Sequence, residues 1–318
     1  MKAEKLGFLT HIKTGKLDVN AGQEDGKYPF FTCANTSYKI NEYAFDNEAV
    51  LVAGNGDLNV KCFIGKFNAY QRTYVIEKRE DAEISMSYLY YFMETYMDHL
   101  RKKSIGGIIK YIKLGHLTEA KIPLPPLDDQ KRIAHLLSKV GGLIAKRKQH
   151  LQQLDALLKS IFLEMFGPTN PSFEKWSLVE IRELAAKHKG AMRTGPFGSN
   201  LLHGEFSTDG DVAVLGIDNA VQNCFAWGER RFITNDKYQE LENYRIFPGD
   251  VIITIMGTIG RSAVIPDDIP VAINTKHLAA ITLNRKIANP LFLSYSIHSS
   301  PFLLNQFKGK NRGAIMSG

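Results

Sequence analysis

One uninterrupted run of helical residues, from Asp128 to about Phe166, constrains this chain more than any other feature. The proline-rich segment Ile122–Pro126 precedes it, and Gly167-Pro168 follows it. Both flanks stop a helix, because proline lacks an N–H group and restricts the residue before it, while glycine suits a helix C-terminus. Asp128 is placed to cap the first turn, and Asp129 adds negative charge at the positive end of the helix dipole. We therefore predict one long helix.

Apolar residues recur along this helix at alternating spacings of four and three, the pattern of a helix packed lengthwise on another helix. A basic residue, Arg147, takes one seam position, where a packing or register role is favoured over DNA contact. An ordinary core helix is the alternative, but the length and the basic Lys146-Arg147-Lys148 favour an exposed rod that needs a partner helix. The apolar seam comprises Ile133, Leu137, Val140, Ile144, Leu151, Leu154, Leu158, Ile161 and Met165.

The segments on either side of the helix resemble each other. Val50–Gly56 and Val251–Gly257 both run a buried-type strand into a glycine turn. We predict an α/β fold: two β-rich α/β domains, 1–126 and 168–318, connected by a long coiled-coil helix at 127–167. An equivalent second long helix would be expected beyond Gly318. The looser matches are Val60–Ile64 with Ile259–Ile265, Gln71 with Asn274, Arg72–Ile76 with Leu278–Leu283, Tyr88–Met93 with Leu291–Ser296, and Lys102–Gly107 with Lys308–Gly313.

Composition and charge narrow the class of protein. The net charge of +7 and the pI of about 9.1 suit a polyanionic partner. The cysteines Cys33, Cys62 and Cys224 are scattered without metal-ligand spacing, so we expect no metal, no disulfide and a reducing compartment. The N-terminus lacks a signal core, and no apolar stretch is long enough to span a membrane, so we expect a cytoplasmic protein.

Motifs for DNA chemistry are absent or incomplete. The sequence has no GxxxxGK[ST] phosphate loop, no GxSxG motif and no glycine-rich loop spaced for a methyl donor. Asn170–Phe173 approaches the tetrad of amino-methyltransferases, but Ser172 replaces its second proline. Pro266-Asp267 is not followed by the Glu-x-Lys of metal-dependent nucleases. We therefore expect binding without catalysis, no cofactor, and no affinity for S-adenosylmethionine or ATP.

Clustered basic residues are the first candidates for contacts with a nucleic acid, because lysine and arginine on phosphates set affinity. A solvated helix end with favourable dipole charges is the alternative for the first cluster. The turn-rich segment Arg193–Asn200 offers Arg193 and Asn200 as base readers, and a purely structural turn is equally compatible. Asn55, Asn59 and Gln71 are weaker candidates, since polar residues at strand ends usually form turns. The basic candidates are Arg101, Lys102, Lys103, Lys110 and Lys113 in the first copy, and Lys308, Lys310 and Arg312 in the second.

Three segments closely resemble the central conserved region of specificity subunits of type I restriction–modification enzymes: Ile122–Ile133, Ala145–Lys148 and Leu154–Gly167. The flanking repeats resemble the target recognition domains of that family, and Trp176 with Ile181–Leu184 resembles the start of the second one. The likeness covers the whole chain, strongly in the helix and more loosely in the domains.

This resemblance implies a non-catalytic subunit in which each domain reads one half of a bipartite, asymmetric site on double-stranded DNA. The helix would set the spacing and dock two modification subunits, which bring S-adenosylmethionine chemistry. Restriction subunits would bring ATP-driven translocation and cutting. Because the second conserved helix of the family is missing, we expect a homodimer through the exposed seam. The rival is a helical adaptor that assembles proteins without reading DNA, which the salt dependence of binding distinguishes.

Overall fold

The computed structural model describes residues 3–309 of the chain, with side chains described as far as Phe307. The chain divides into two compact units, Met1–Gln149 and His150–Gly318. Both units mix sheets with helices, and the boundary between them falls within a helix of 40 residues, Leu127–Phe166. The predicted α/β class and the predicted long helix are therefore confirmed.

The first unit is built around a six-stranded sheet with the order β2-β7-β5-β6-β3-β4. Neighbouring strands are antiparallel except for β3 and β6, and β1 pairs with β8 in a separate two-stranded sheet. Its strands are β1 (Ala3–Lys5), β2 (Thr10–Thr14), β3 (Tyr28–Phe31), β4 (Tyr38–Ile40), β5 (Phe45–Ala53), β6 (Val60–Ala69), β7 (Thr73–Lys78) and β8 (Lys121–Pro123). Its helices are α1 (Leu6–Leu9), α2 (Met86–Lys103), α3 (Leu114–Thr118) and the beginning of α4 (Leu127–Phe166).

The central strand β5 is buried on both faces, which explains its continuous apolar run. Val50 and Val52 point into the core that includes Leu89 and Met93 of α2. The alternate residues, such as Leu51, join an aromatic cluster with Phe67 on the other face.

The N-terminus of α4 is fixed by the fully buried Gln130. Its side-chain oxygen accepts the N–H of Ser85 at 2.9 Å, and its amide donates to the carbonyl oxygens of Glu83 and Pro125 at 3.0 and 2.9 Å. The helix begins at Leu127, so the expected cap, Asp128, lies inside the first turn and contributes charge there. Gln130 therefore ties the start of α4 to the residues that lead into α2.

The second unit contains two four-stranded sheets, with the orders β14-β13-β16-β9 and β11-β10-β15-β12. The pair β10 and β15 is parallel, and the other pairs are antiparallel. Its strands are β9 (Met192–Thr194), β10 (Val212–Leu215), β11 (Phe232–Ile233), β12 (Arg245–Ile246), β13 (Val251–Thr254), β14 (Ser262–Val264), β15 (Ala272–Asn274) and β16 (Leu278–Ile281). Its helices are α5 (Ile181–Leu184), α6 (Asn235–Leu241), α7 (Pro290–Ser299) and α8 (Pro301–Gly309).

The two units share one strand arrangement. In the first, β5 lies between β6 and β7, with β2 beyond β7; in the second, β13 lies between β14 and β16, with β9 beyond β16. Both central strands run towards a glycine with positive φ, Gly56 at 69° and Gly257 at 71°. The strand-to-glycine match seen in the sequence therefore reflects equivalent strands.

One of the looser sequence matches is wrong, because Gln71 and Asn274 occupy different places. Gln71 lies in the turn between β6 and β7, whereas Asn274 ends β15. A Cβ at Gly15 would lie 1.8 Å from the carbonyl oxygen of Ala69, and one at Gly195 would lie 2.1 Å from that of Asn274. Ala69 is thus the equivalent of Asn274. The match between these two segments of the sequence is displaced because the single strand β6 of the first unit corresponds to two strands of the second, β14 and β15, with a loop between them.

No helix in residues 3–309 is long and apolar enough to cross a membrane. Within the same residues, no group of three or more His, Cys, Asp or Glu side chains is arranged to hold a metal ion.

Candidate nucleic-acid interface

Three loops meet at one end of the sheet in the first unit. The turn after β5 donates its Gly54 N–H to the carbonyl oxygen of Arg72 at 2.8 Å, which joins it to the β6–β7 turn. Ile112 donates its N–H to Gly54 O at 2.9 Å, and Gly56 donates its N–H to Lys110 O at 2.9 Å. These backbone bonds join the segment after α2 to the same end of the sheet.

The segment after α2 forms a small hairpin. Ile105 and Tyr111 exchange two backbone hydrogen bonds of 3.0 and 2.9 Å, and Gly106 supplies the positive φ of 111° that the loop needs. Its tip presents Ile108, which is fully exposed, and Ile109. This tip was not predicted from the sequence, although two glycines followed by two isoleucines within a lysine-rich segment could have indicated it.

Lysines surround this hairpin. Lys102 and Lys103 lie in the last turn of α2, and Lys110 lies on the hairpin itself. All three are exposed, and their side chains form no hydrogen bond or ion pair with any described residue. They are therefore available to an anionic partner.

Arg101 differs from its lysine neighbours because its guanidinium is partly occupied. It donates to Leu58 O at 2.9 Å and to the carboxylate of Asp98 at 2.8 Å. These bonds tie the end of α2 to the β5–β6 turn, so Arg101 has a structural task that the sequence did not indicate.

Asn59 also supports the surrounding loops. Its amide donates to Cys33 O at 2.7 Å and to Asp57 O at 2.9 Å. Lys61 beside it donates to Ala34 O at 2.7 Å, and burial is the main cause that lowers the pKa of Lys61. Asn59 and Lys61 thus hold the loop that follows β3.

Arg193 lies in β9 and not in an exposed loop, so its predicted placement needs correction. Its side chain is 7% exposed and forms an ion pair with Asp250, which is 1% exposed. The guanidinium also donates to Thr282 Oγ1 at 3.0 Å and to Arg245 O at 2.8 Å. A buried carboxylate needs such a partner, because an unpaired charge in the interior is costly. We therefore remove Arg193 from the candidate DNA contacts.

Asn200 lies in the short 3₁₀ turn Gly198–Asn200 and is exposed. Lys310 and Arg312 lie outside the described residues. The backbone of Lys308 belongs to α8, but its side chain also lies outside the described part. These four candidates stay predictions.

The second unit has a cleft of about 710 Å³ near the ends of β10 and β15. Lys276, His277 and His203 line it together with the ion pair between Arg231 and Asp218. Burial is the main cause that lowers the pKa of His277, and the nearby charges of Lys276, His203 and Arg231 lower it further. The cleft therefore combines apolar side chains with hydrogen-bonding groups and with Lys276, and no local sequence pattern predicted it.

Comparison with known proteins finds similarity to one family. Residues 1–156 match the family model described as the type I restriction modification DNA specificity domain. The chain is 42% identical over 158 residues to the specificity subunit of the type I restriction enzyme EcoDI from Escherichia coli. It is 24% identical over 265 residues to the MjaVIII specificity subunit from Methanocaldococcus jannaschii.

The chain is thus similar to type I specificity subunits, and the similarity is strongest over residues 1–156. The EcoDI alignment covers 50% of this chain and 35% of the relative, and the MjaVIII alignment covers 78% and 61%. The chain thus spans only part of the length of these relatives. The fold agrees with that of a crystal structure of a type I S subunit from M. genitalium, with a TM-score of 0.54 at 16% identity over 99% of this chain and 83% of that one.

Proposed function

We propose that this chain is the non-catalytic, DNA-reading subunit of a type I restriction–modification system. Residues 1–126 and 168–318 would each read one half of a bipartite, asymmetric site on double-stranded DNA. The helix α4 would set the spacing between the halves and dock two modification subunits. Restriction subunits would join that complex.

The observation that carries this proposal is the exposed basic end of the sheet in the first unit. Lys102, Lys103 and Lys110 gather there from two elements and have no described partners. Positive side chains of this kind neutralise phosphates and position a protein on a duplex without reading its sequence. In the second unit, Lys276 is an exposed cation beside the cleft.

The seam of α4 supports docking of other helices. All nine apolar seam residues are exposed in the described chain, from 38% for Ile133 to 64% for Ile144. Only Gln130 and Ala134 of this helix are buried. An apolar stripe of this length is a surface for another helix, and we propose that a second copy of the chain or the modification subunits cover it.

The proposal is tested by presenting the full chain with a library of random duplex DNA and sequencing the bound fraction at several salt concentrations. We expect enrichment of a motif with two short conserved parts separated by a nonspecific spacer. The logarithm of affinity should fall linearly with the logarithm of salt concentration, because counterions are released from the phosphates. Absence of any enriched motif, or affinity that does not depend on salt, would contradict DNA reading and favour an adaptor that assembles proteins.

A further inference from the structure

A two-residue turn occurs at the same place in both units. In the first unit, Gln71 and Arg72 connect β6 to β7, and Thr73 donates its N–H to Tyr70 O at 2.8 Å across the turn. In the second, Lys276 and His277 connect β15 to β16, and Leu278 donates its N–H to Thr275 O at 3.0 Å.

The bonds that hold these turns are also repeated. Tyr70 donates its N–H to Phe31 O at 2.9 Å, at the end of β3, and Thr275 donates its N–H to Leu215 O at 2.9 Å, at the end of β10. Gly54 donates to Arg72 O at 2.8 Å, and Ile255 donates to His277 O at 3.0 Å. Each turn is therefore held from both sides by neighbouring strands.

A close backbone approach supports each turn from behind. A Cβ at Gly15 would lie 2.7 Å from Tyr70 O, and one at Gly195 would lie 2.5 Å from Thr275 O. No other residue fits such a contact, since atoms this close to a Cβ would have to move. The sequence carries a sign of this equivalence: a basic residue and a threonine precede each glycine, as Lys13-Thr14-Gly15 and Arg193-Thr194-Gly195.

The side chains on the turns differ between the units, while the frame that holds them is the same. Arg72 and Lys276 are exposed and form no side-chain hydrogen bond or ion pair with the described residues. Gln71 is exposed, with its amide 3.5 Å from the carboxylate of Asp18, and His277 lines the cleft of the second unit. Rigid placement of free donors is what reading a base edge requires, because loose donors cannot discriminate between acceptor patterns.

We infer that these paired turns read bases, Gln71 and Arg72 in one half-site and Lys276 and His277 in the other. The inference rests on the proposed DNA-reading function and adds the positions that select the sequence. Arginine and lysine favour the O6 and N7 acceptors of guanine, and glutamine favours the N6 and N7 groups of adenine. Lys102 and Lys103 would contact phosphates and carry no sequence information.

The test is the random-duplex selection with the full chain and single variants Arg72→Ala and Lys276→Ala. We expect each variant to relax preference by about tenfold at one or two adjacent base pairs. The two variants should affect different halves of the motif. Lys78→Ala and Lys286→Ala are matched controls, and both should retain the parent motif. Lys78 is exposed at the end of β7 away from the turn, and Lys286 is exposed in the turn that follows the far end of β16.

Arg72→Lys separates base reading from phosphate contact. A base reader should lose discrimination in this variant even though the charge is kept, since lysine lacks the two-pronged donor geometry of arginine. An unchanged motif in Arg72→Ala and Lys276→Ala, or changes confined to one half for both, would overturn the inference while leaving DNA reading intact. A parent chain that enriches no motif would overturn both. Thermal unfolding of each variant within about 2 °C of the parent shows that the fold is kept.

Discussion

At the scale of single residues, burial separates basic side chains that look equivalent in the sequence. Arg193 lies in a turn-rich segment of the sequence, and Arg72 lies in a turn. Arg193 is nevertheless buried against Asp250, whereas Arg72 is exposed. The difference follows from sheet position. Arg193 is in β9 opposite Ala280 of β16, with its side chain directed at the carboxylate, whereas Arg72 lies in a turn beyond the strand ends.

Asp250→Ala should destabilise the second unit by about 3–5 kcal/mol, because Arg193 would be left buried and uncompensated. Asp250 also accepts hydrogen bonds from Phe247 N–H and Thr282 Oγ1 at 2.9 and 2.7 Å, which the variant removes. Urea-induced unfolding followed by circular dichroism measures the loss. Arg182→Ala, which breaks an exposed ion pair with Glu180, is the control and should leave the unfolding curve nearly unchanged. Equal midpoints for both variants would contradict the structural role given to Arg193.

His298 should make stability depend on pH. Burial, followed by the charges of Arg261 and Lys159, lowers the pKa of His298 to about 4, and its Nδ1 lies 3.0 Å from Ser262 Oγ. Below about pH 6.5, His298 is protonated in the unfolded chain but stays neutral in the folded chain until the pH approaches 4. Stability is therefore complete above about pH 7 and falls as the pH decreases towards 4, by about 1–2 kcal/mol after solvent screening is considered.

Thermal unfolding at pH 7.5 and pH 5.0 measures this effect. His298→Asn keeps a polar group near Ser262 and cannot take up a proton, so the difference between the two melting temperatures should become smaller. The exposed His188 provides the matched variant, His188→Asn, which should retain the difference seen in the parent chain. A pH dependence identical in all three proteins would show that His298 does not contribute to it.

At the scale of elements, the last turn of α2 and the hairpin after it form one basic rim. Backbone bonds from Gly56 and Ile112 fix the hairpin, and Arg101 fixes the end of the helix. The residues that hold this rim together are therefore distinct from its free lysines. Variants can remove the lysine charges without removing the bonds that fix the rim.

Lys102→Ala with Lys103→Ala should weaken DNA binding for every sequence and reduce the salt slope by about 1.8, which corresponds to two phosphate contacts. Fluorescence anisotropy with a labelled duplex over a series of salt concentrations measures the slope. Lys78→Ala with Lys121→Ala removes the same charge from exposed positions away from the rim and should change the slope much less. If both pairs reduce the slope equally, the rim is not the phosphate-binding surface. A change at one base position alone would instead make these lysines base readers.

At the scale of the whole molecule, the exposed seam of α4 predicts association. Covering its nine apolar residues is worth on the order of 10 kcal/mol before the entropy of association is subtracted. We therefore expect the purified chain to sediment as a dimer or a larger species at tens of micromolar, and Leu151→Lys with Leu158→Lys to convert it to a monomer. Gln149→Lys with Ala156→Lys adds the same charge on the opposite face of the helix and should leave the mass unchanged. A parent chain that is already monomeric would refute association through the seam.

Elements whose causes are local could be predicted from the amino-acid sequence alone. The seam period and the proline and glycine flanks specified α4 to within one residue at its N-terminus, because helix boundaries depend on neighbouring residues. The repeated run of apolar residues that ends in glycine identified β5 and β13 as equivalent strands. Burial on both faces requires apolar residues, and a left-handed turn favours glycine.

Which polar side chains are free could not be predicted from the sequence, because it depends on contacts between residues far apart in the chain. Arg193 is enclosed by Asp250, Arg245 and Thr282, none of which is near it in sequence. The turns that carry Arg72 and Lys276 are equivalent in the two sheets, as the close approaches of Gly15 and Gly195 show. The sequence repeat did not reveal this equivalence, because an insertion in the second unit displaces the match. Sheet register, which is set by long-range packing, thus selected the candidate base readers that local patterns could not distinguish from ordinary turns.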